Sequence, residues 1–279
     1  RFHFYFDRGL LPSRRLFEFN PLELFVYKIL NKQLIIWTYG ADVRSRGTTE
    51  RLGQPNCCTE CNSVGQSCIC DETRRQKNIN KVTQIASMTM SMGDMTEYTP
   101  GSNNSTFFWP VIIEKYLPSY PETITQRPLR IVHAPNHRQF KGTHFLIEAV
   151  EQLQSEGLNI ELVLVERVPH KQALSLYHSA DIIFDQCMVG FHGYFAIEGL
   201  AMGKPVICYI KKPEYLIDPA GCPIINANPQ TLKQRLADLY NRREELNAIG
   251  RKGRAYIEKY YTLEAFANRL QEAYLEGGI

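Results

Sequence analysis

The feature that most limits what this chain can fold into is the alternation of strand-like and helix-like segments from Leu129 onward. LRIVHA (129–134) is a short apolar run that ends before Pro135. THFLIEAVEQLQSEG follows, with Phe145, Leu146, Ala149, Val150 and Leu153 at helical spacing until Gly157 stops the helix. NIELVLVE then reads as a buried strand, HKQALSLYHSA as a helix, DIIFDQ as a strand and GYFAIEGLAMG as a helix. PVICYI and CPIINA add two more strands, and three helical stretches (PQTLKQRLADLY, REELNAIGRKGRAYIEKY, TLEAFANRLQEAYLE) run to the carboxyl end. Strands separated by helices of this length form βαβ units with a parallel, doubly wound sheet, so the fold class is α/β. Right-handed crossovers cover both faces of such a sheet. Ligands bind outside the carboxyl ends of its strands, which directs attention to loops 135–143, 166–170, 186–194 and 211–216.

The amino-terminal part is less regular. QLIIWTYG is a strand with a glycine at its exit, and VTQIASMTMSMGDM contains a second strand-like run. PGSNNSTFFWP and YLPSYPETITQRP have the Pro, Ser, Asn and Thr content of linkers. The expected organisation is a partial amino-terminal domain over 1–112 with a cysteine-rich insertion at 56–71, a linker over 113–128, a carboxyl-terminal domain over 129–261, and a terminal helix over 262–279. The opening RFHFYFDRGLLP lacks an initiator Met and a signal-peptide pattern, and reads like the interior of a domain entered partway. Apolar residues at 44% and charged residues at 22% are ordinary for a soluble globular protein, and no apolar run approaches the roughly 20 residues that span a bilayer. A net charge of +3, from 32 basic and 29 acidic side chains, makes no case for nucleic-acid binding. It is compatible with peripheral contact at an anionic membrane. Isolated Cys187, Cys208 and Cys222 read as buried thiols of a reducing, cytoplasmic setting.

The densest chemistry lies in ADIIFDQCMVGFHGYFAIEGLAMGKPV, 180–206. A strand ends near Asp185, a loop with Gly190 and Gly193 follows, and a helix begins beside Gly193. Free N–H groups at a helix start, reached by a glycine loop, make an anion site. Glu198 stands one and a half turns into that helix, where a carboxylate can accept hydrogen bonds from paired hydroxyls such as those of a ribose. Its neighbours are apolar, and an unpaired carboxylate among them would be costly.

The segment resembles the donor-binding signature of retaining GT-B glycosyltransferases, in which two glutamates seven residues apart are followed by a small-residue helix and G-x-P-V. Glu198, Gly203, Pro205 and Val206 match its second half, while the first-glutamate position falls on Gly190. The resemblance implies that Glu198 meets the nucleotide ribose. The GFHG loop is similar to the G-aromatic-x-G loop of a bacterial subgroup of group 1/family 4 that lacks the first glutamate, implying donor contacts from Gly190, His192 and Gly193. HAPNHRQFKGTHFLIEAV (133–150) resembles the loop after the first strand of that family's donor domain, where a Lys-Gly pair precedes a helix. This implies Lys141 and Gly142 at the diphosphate, with Arg138 as a second cation. WTYGADVR (37–44) is similar to the family's H-G-S-D-V-R run facing the interdomain cleft, with Tyr39 where a histidine is common. Asp42 and Arg44 are thereby candidates for catalytic work, binding the acceptor or orienting the transferred sugar. The alternative is an Asp42–Arg44 pair that only pins the loop.

What the resemblance implies is a GT-B fold of two Rossmann-like domains, the first incomplete, with the terminal helix returning to it. The implied activity is transfer of a hexosyl group from a nucleotide-diphosphate sugar to a glycan or lipid-linked acceptor hydroxyl with retention, in surface polysaccharide or glycoconjugate synthesis, without a catalytic metal. A nucleotide-sugar epimerase of the same fold, or a non-catalytic binding protein, are the alternatives. Separately, Cys58 and Cys61 (CxxC) with Cys68 and Cys70 (CxC) could wrap a structural zinc. Disulfides or an unmetallated loop compete with that reading.

Overall fold

The computed structural model describes residues 1–6, 8–13, 18–59, 61, 72–107, 109–122 and 126–279. The chain divides into two units, one of 1–53, 62–110 and 264–279, the other of 54–61 and 111–263. The first unit holds, in chain order, β1 (Phe2–Tyr5), α1 (Pro21–Ile29), β2 (Leu34–Trp37), α2 (Arg46–Arg51), α3 (Glu72–Thr83) and β3 (Met88–Met90). Its strands are parallel in the order β1-β2-β3. The central strand reads LIIW without alternation and is buried throughout, as a strand covered on both faces must be. Helix starts follow their capping chemistry: the Asn20 side chain accepts from the Leu22 N–H with Pro21 in the first turn, and Ser45 caps α2.

The second unit continues with β4 (Leu129–His133), α4 (Arg138–Lys141), α5 (Thr143–Ser155), β5 (Ile160–Leu164), α6 (His170–His178), β6 (Ile182–Gln186) and α7 (Tyr194–Ala201). After these come β7 (Val206–Cys208), β8 (Ile225–Asn226), α8 (Pro229–Asn241) and α9 (Leu246–Tyr260). All five strands are parallel, in the order β5-β4-β6-β7-β8. Alternation along the strands sorts the core onto two faces. Ile182, Phe184 and Ile207 pack with Leu146, Val150, Leu232 and Leu236 of α5 and α8. On the other face, Gly199 lets α7 lie against Ile183 and Val206, where an added Cβ would stand 2.9 and 3.0 Å from their side chains. Gly253 of α9 meets Leu200 of α7 in the same way, at 2.9 Å. The expected α/β class with parallel sheets and helices on both faces is what the chain adopts.

PVICYI and CPIINA give shorter strands than their apolar runs predict, because a side chain takes over the ladder. The Asn226 amide accepts from the Ile210 N–H at 2.9 Å and donates to the Ile210 carbonyl at 2.8 Å. The expected linker, 113–128, falls within the unit of 54–61 and 111–263. Val111 bridges to Thr262, and the Ser119 N–H donates to the Met202 carbonyl at 2.8 Å. Turns that dock on a domain draw on the same Pro, Ser and Thr as free linkers do. The last helix, α10 (Leu263–Glu276), contributes Phe266 stacked on Trp37 and Tyr274 bonded to His3 at 2.7 Å within the first unit. No helix among the described residues is long and apolar enough to cross a membrane.

Strand order decides where a ligand site forms. The chain passes from β4 to β5 on one side, then to β6 on the other, so the crevice outside the carboxyl ends of β4 and β6 is the switch point of the sheet.

Candidate functional site

Two loops meet at that switch point. After β4 the chain turns through α4, and Lys141 ends that short helix. Its ammonium lies 2.6 Å from Oδ1 of Asp185 at the end of β6. Oδ2 of the same carboxylate accepts the Gly193 N–H at 2.7 Å, at the start of α7. Asp185 is fully buried. Burial pushes its carboxyl up, but the Lys141 charge and hydrogen bond and the Gly193 N–H outweigh that and hold it below its ordinary value. Gly193 has no side chain where one would crowd this corner: a Cβ would stand 3.4 Å from the Lys141 ammonium.

The geometry of both loops is set from behind. Gly142 sits in the left-handed region at φ +74°, and the Lys141 carbonyl accepts the Cys187 N–H at 3.1 Å. The Gln186 amide, entirely buried, organises the following turn. Its oxygen accepts the N–H groups of Met188 and Val189 at 2.7 and 2.6 Å, and its nitrogen donates to the Tyr209 carbonyl at 2.8 Å. Gly190, at φ +96°, accepts the Lys211 N–H at 2.8 Å. His133 fastens β4 to β6 and to the start of α5. Its Nδ1 is 2.9 Å from the Phe184 carbonyl and therefore carries the hydrogen, leaving Nε2 to accept from the Thr143 hydroxyl at 2.8 Å.

Five residues beyond Gly193, Glu198 is 5% exposed. Its Oε1 accepts the Tyr116 hydroxyl at 3.0 Å and lies 2.7 Å from His170 Nε2, at the first residue of α6. Burial, then the neighbouring Tyr194 and Glu198, push the Tyr116 phenol well above its ordinary value, so it stays a donor to that carboxylate. Oε2 receives no hydrogen bond from the described residues.

Arg138 turns away to a bidentate pair with Glu166 at 2.7 and 2.5 Å, exposed to water, because the loop after β5 brings a carboxylate to it. His192 is 3% exposed, stacks on Phe191 and meets the Tyr261 hydroxyl at 3.2 Å, bracing the loop from within. In the first unit, Asp42 accepts the Tyr39 and Gly40 N–H groups, at 2.7 Å for Gly40. Arg44 forms a buried bidentate pair with Asp94 at 2.5 and 2.8 Å. These bonds tie Asp42 to the 38–44 turn and Arg44 to Asp94. Cys58 is buried and Cys61 half-buried, and Cys68 and Cys70 lie outside the described residues. No group of side chains among the described residues could hold a metal ion.

Sequence reasoning missed Asp185, Gln186, His133, Tyr116 and His170. A signal existed for the first three: a polar side chain in or at the end of an apolar buried strand must find partners or pay its full desolvation. Tyr116 and His170 reach Glu198 from 82 and 28 residues away, which spacing cannot foretell.

Burial pushes both His133 and His192 down to about 4 from the usual 6.5. Between those values the unfolded chain binds more protons than the folded one, so stability rises with pH. The contribution of the neutral rings is complete above pH 6.5 and lost as pH falls towards 4, on the order of 3 kcal/mol per ring. Asp185, depressed in the fold, adds a loss in the same direction at lower pH. The unfolding midpoint is expected to drop steadily from pH 7 to pH 4.5, and His133→Gln to flatten part of that slope in a thermal-unfolding series. An unchanged slope would remove His133 as a cause.

Solved structures with the same architecture are glycosyltransferases. Anabaena HepE in complex with UDP and glucose superposes with a TM-score of 0.60 at 13% sequence identity, covering 91% of this chain and 75% of that one. Sucrose-phosphate synthase from Thermosynechococcus elongatus gives 0.59 at 15% identity, covering 98% and 72%. A glycosyltransferase from Rickettsia africae gives 0.55 at 14% identity, covering 96% and 84%. No family model and no curated relative matches the chain. The fold is GT-B.

Proposed function

We propose that the chain is a nucleotide-sugar-dependent glycosyltransferase, which holds its donor on the second unit and passes a hexosyl group to an acceptor hydroxyl with retention. The observation that carries this reading is the convergence of Lys141 and the amino end of α7 at the switch point between β4 and β6. Structural neighbours that bind UDP and UDP-glucose support it. As the bond to the sugar breaks, negative charge grows on the diphosphate. A fixed ammonium and the N–H groups of a helix start stabilise that charge without reorganising. Lys141 uses one N–H on Asp185, which leaves two for phosphate oxygens. Glu198 accepts ribose hydroxyls through Oε2, while Tyr116 and His170 hold Oε1 in place. In this reading Arg138 and His192 act behind the donor loops. Asp42 and Arg44 shape the acceptor-side turn. The acceptor is a glycan or lipid-linked hydroxyl of surface polysaccharide or glycoconjugate synthesis, made at the cytoplasmic side of a membrane. We also propose a structural zinc on Cys58, Cys61, Cys68 and Cys70, for which metal content of the purified chain is the measure.

The test is a thermal-shift and calorimetric screen of UDP-sugars and other nucleotide sugars, since a ligand of the folded state raises its apparent stability. Glu198→Gln keeps the size and loses the charge. A hydrogen bond to a charged group contributes about 1.5 to 3 kcal/mol, so nucleotide affinity is expected to fall roughly 10- to 100-fold. Affinity that survives both Glu198→Gln and Glu198→Ala would remove the ribose role. Conversion of a nucleotide sugar without any acceptor would favour an epimerase instead.

A further inference from the structure

We infer that Asp185 is an internal counter-ion of the phosphate subsite, which loosens the grip on the diphosphate and so governs release of the nucleotide product. The inference rests on the nucleotide-sugar reading above and extends it to a residue which that reading treats only as Lys141's partner.

The argument begins with what the carboxylate occupies. The two groups expected to face a phosphate, the Lys141 ammonium and the Gly193 N–H, both already engage Asp185, at 2.6 and 2.7 Å. The carboxylate is fully buried and lies below its ordinary pKa, so it is charged at neutral pH. Neither of the other two donor-loop candidates adds a positive charge here. Arg138 is spent on Glu166, and burial holds His192 neutral at about 4. The Lys141 stem is held in turn by the backbone tie from Cys187 to its carbonyl.

A neutral residue could anchor the ammonium and the helix start equally well, and would avoid desolvating a charge. What a carboxylate adds is repulsion. A phosphate oxygen that shares the Lys141 ammonium with Asp185 comes to about 4 to 5 Å from the carboxylate, given ordinary hydrogen-bond lengths at a tetrahedral nitrogen. Two like charges at that separation in a partly buried corner oppose each other strongly. The lysine keeps the ligand in place, and the aspartate limits how tightly. A subsite of this kind binds a diphosphate firmly enough to orient it and weakly enough to let the product leave.

This makes a prediction opposite in sign to that of a structural anchor. Asp185→Asn preserves shape and one acceptor for Lys141 while removing the charge. Inorganic pyrophosphate and UDP are titrated calorimetrically at pH 7.5 into the parent and the variant, with uridine as the phosphate-free control. The variant is expected to bind pyrophosphate and UDP about tenfold more tightly or better, with slower release of UDP and unchanged affinity for uridine. Equal or weaker binding of pyrophosphate by a folded variant overturns the inference. If Asp185→Asn does not fold, the comparison is Lys141→Met against the charge-free double variant Lys141→Met/Asp185→Asn. The double variant is expected to bind pyrophosphate more tightly than the single one, and equal or weaker binding overturns the inference again. Failure of the parent itself to bind pyrophosphate and UDP would sink the nucleotide reading, and this inference with it. Binding by the parent without a gain in the variant sinks this inference alone.

Discussion

Lys141→Met is expected to weaken donor binding sharply and to lower stability by about 3 to 5 kcal/mol, the range for breaking a buried ion pair from one side. The two losses have one cause. The ammonium pairs with Asp185 at 2.6 Å, and that carboxylate is fully buried at the end of β6. Without the lysine, burial is opposed chiefly by the Gly193 N–H and raises the carboxyl's pKa, so it takes up a proton at a pH where the parent's is ionised. The stability deficit is therefore largest near pH 7 and shrinks as the pH falls towards 4. Chemical denaturation of parent and variant across that range measures it. A deficit independent of pH would mean that packing of the lysine stem, not its charge, is what matters.

Gly142→Ala is expected to cost a comparable amount for an unrelated reason. The residue lies at φ +74°, where an L side chain strains the backbone by about 1 to 2 kcal/mol. An added Cβ would also stand 2.5 Å from Cys187 Sγ and 2.8 Å from Met188 Cγ, both in the turn that leads to Gly193. Overpacking of that kind adds about 1 to 3 kcal/mol. The turn would have to move, carrying with it the Cys187 N–H bonded to the Lys141 carbonyl. Loss of nucleotide affinity should accompany the drop in melting temperature. An alanine variant as stable as the parent would show that the loop yields freely.

Much of the second unit was legible because local rules and long-range packing agree there. Apolar spacing over 143–155 marked α5, and of its predicted face Leu146, Ala149, Val150 and Leu153 are buried and Phe145 half-buried against the core. Gly193 before a helix and Glu198 inside it stood out because glycine and carboxylate are odd choices in an apolar stretch. Asp185 is just as odd, yet it closed a run that already had a satisfactory reading as a strand, and its partners lie 44 residues earlier and 8 residues later. The same holds for Arg44, whose partner Asp94 is 50 residues away. Ion pairs of that kind leave no periodicity. The 113–128 segment is hard to read for a third reason: docked turns and free linkers share a composition.

The tight seating of α7 has a consequence for what the site can accept. Gly199 presses the helix onto Ile183 and Val206, and Gly253 brings α9 onto Leu200 from outside, so the helix has no room to tilt or slide. Gly193 and Glu198 are five residues apart on this splinted rod, a rise of about 7.5 Å. Under the proposed donor reading the helix is in effect a gauge, with a notch for phosphate at one end and a notch for sugar hydroxyls partway along. A molecule whose two features are spaced otherwise can engage one notch but never both.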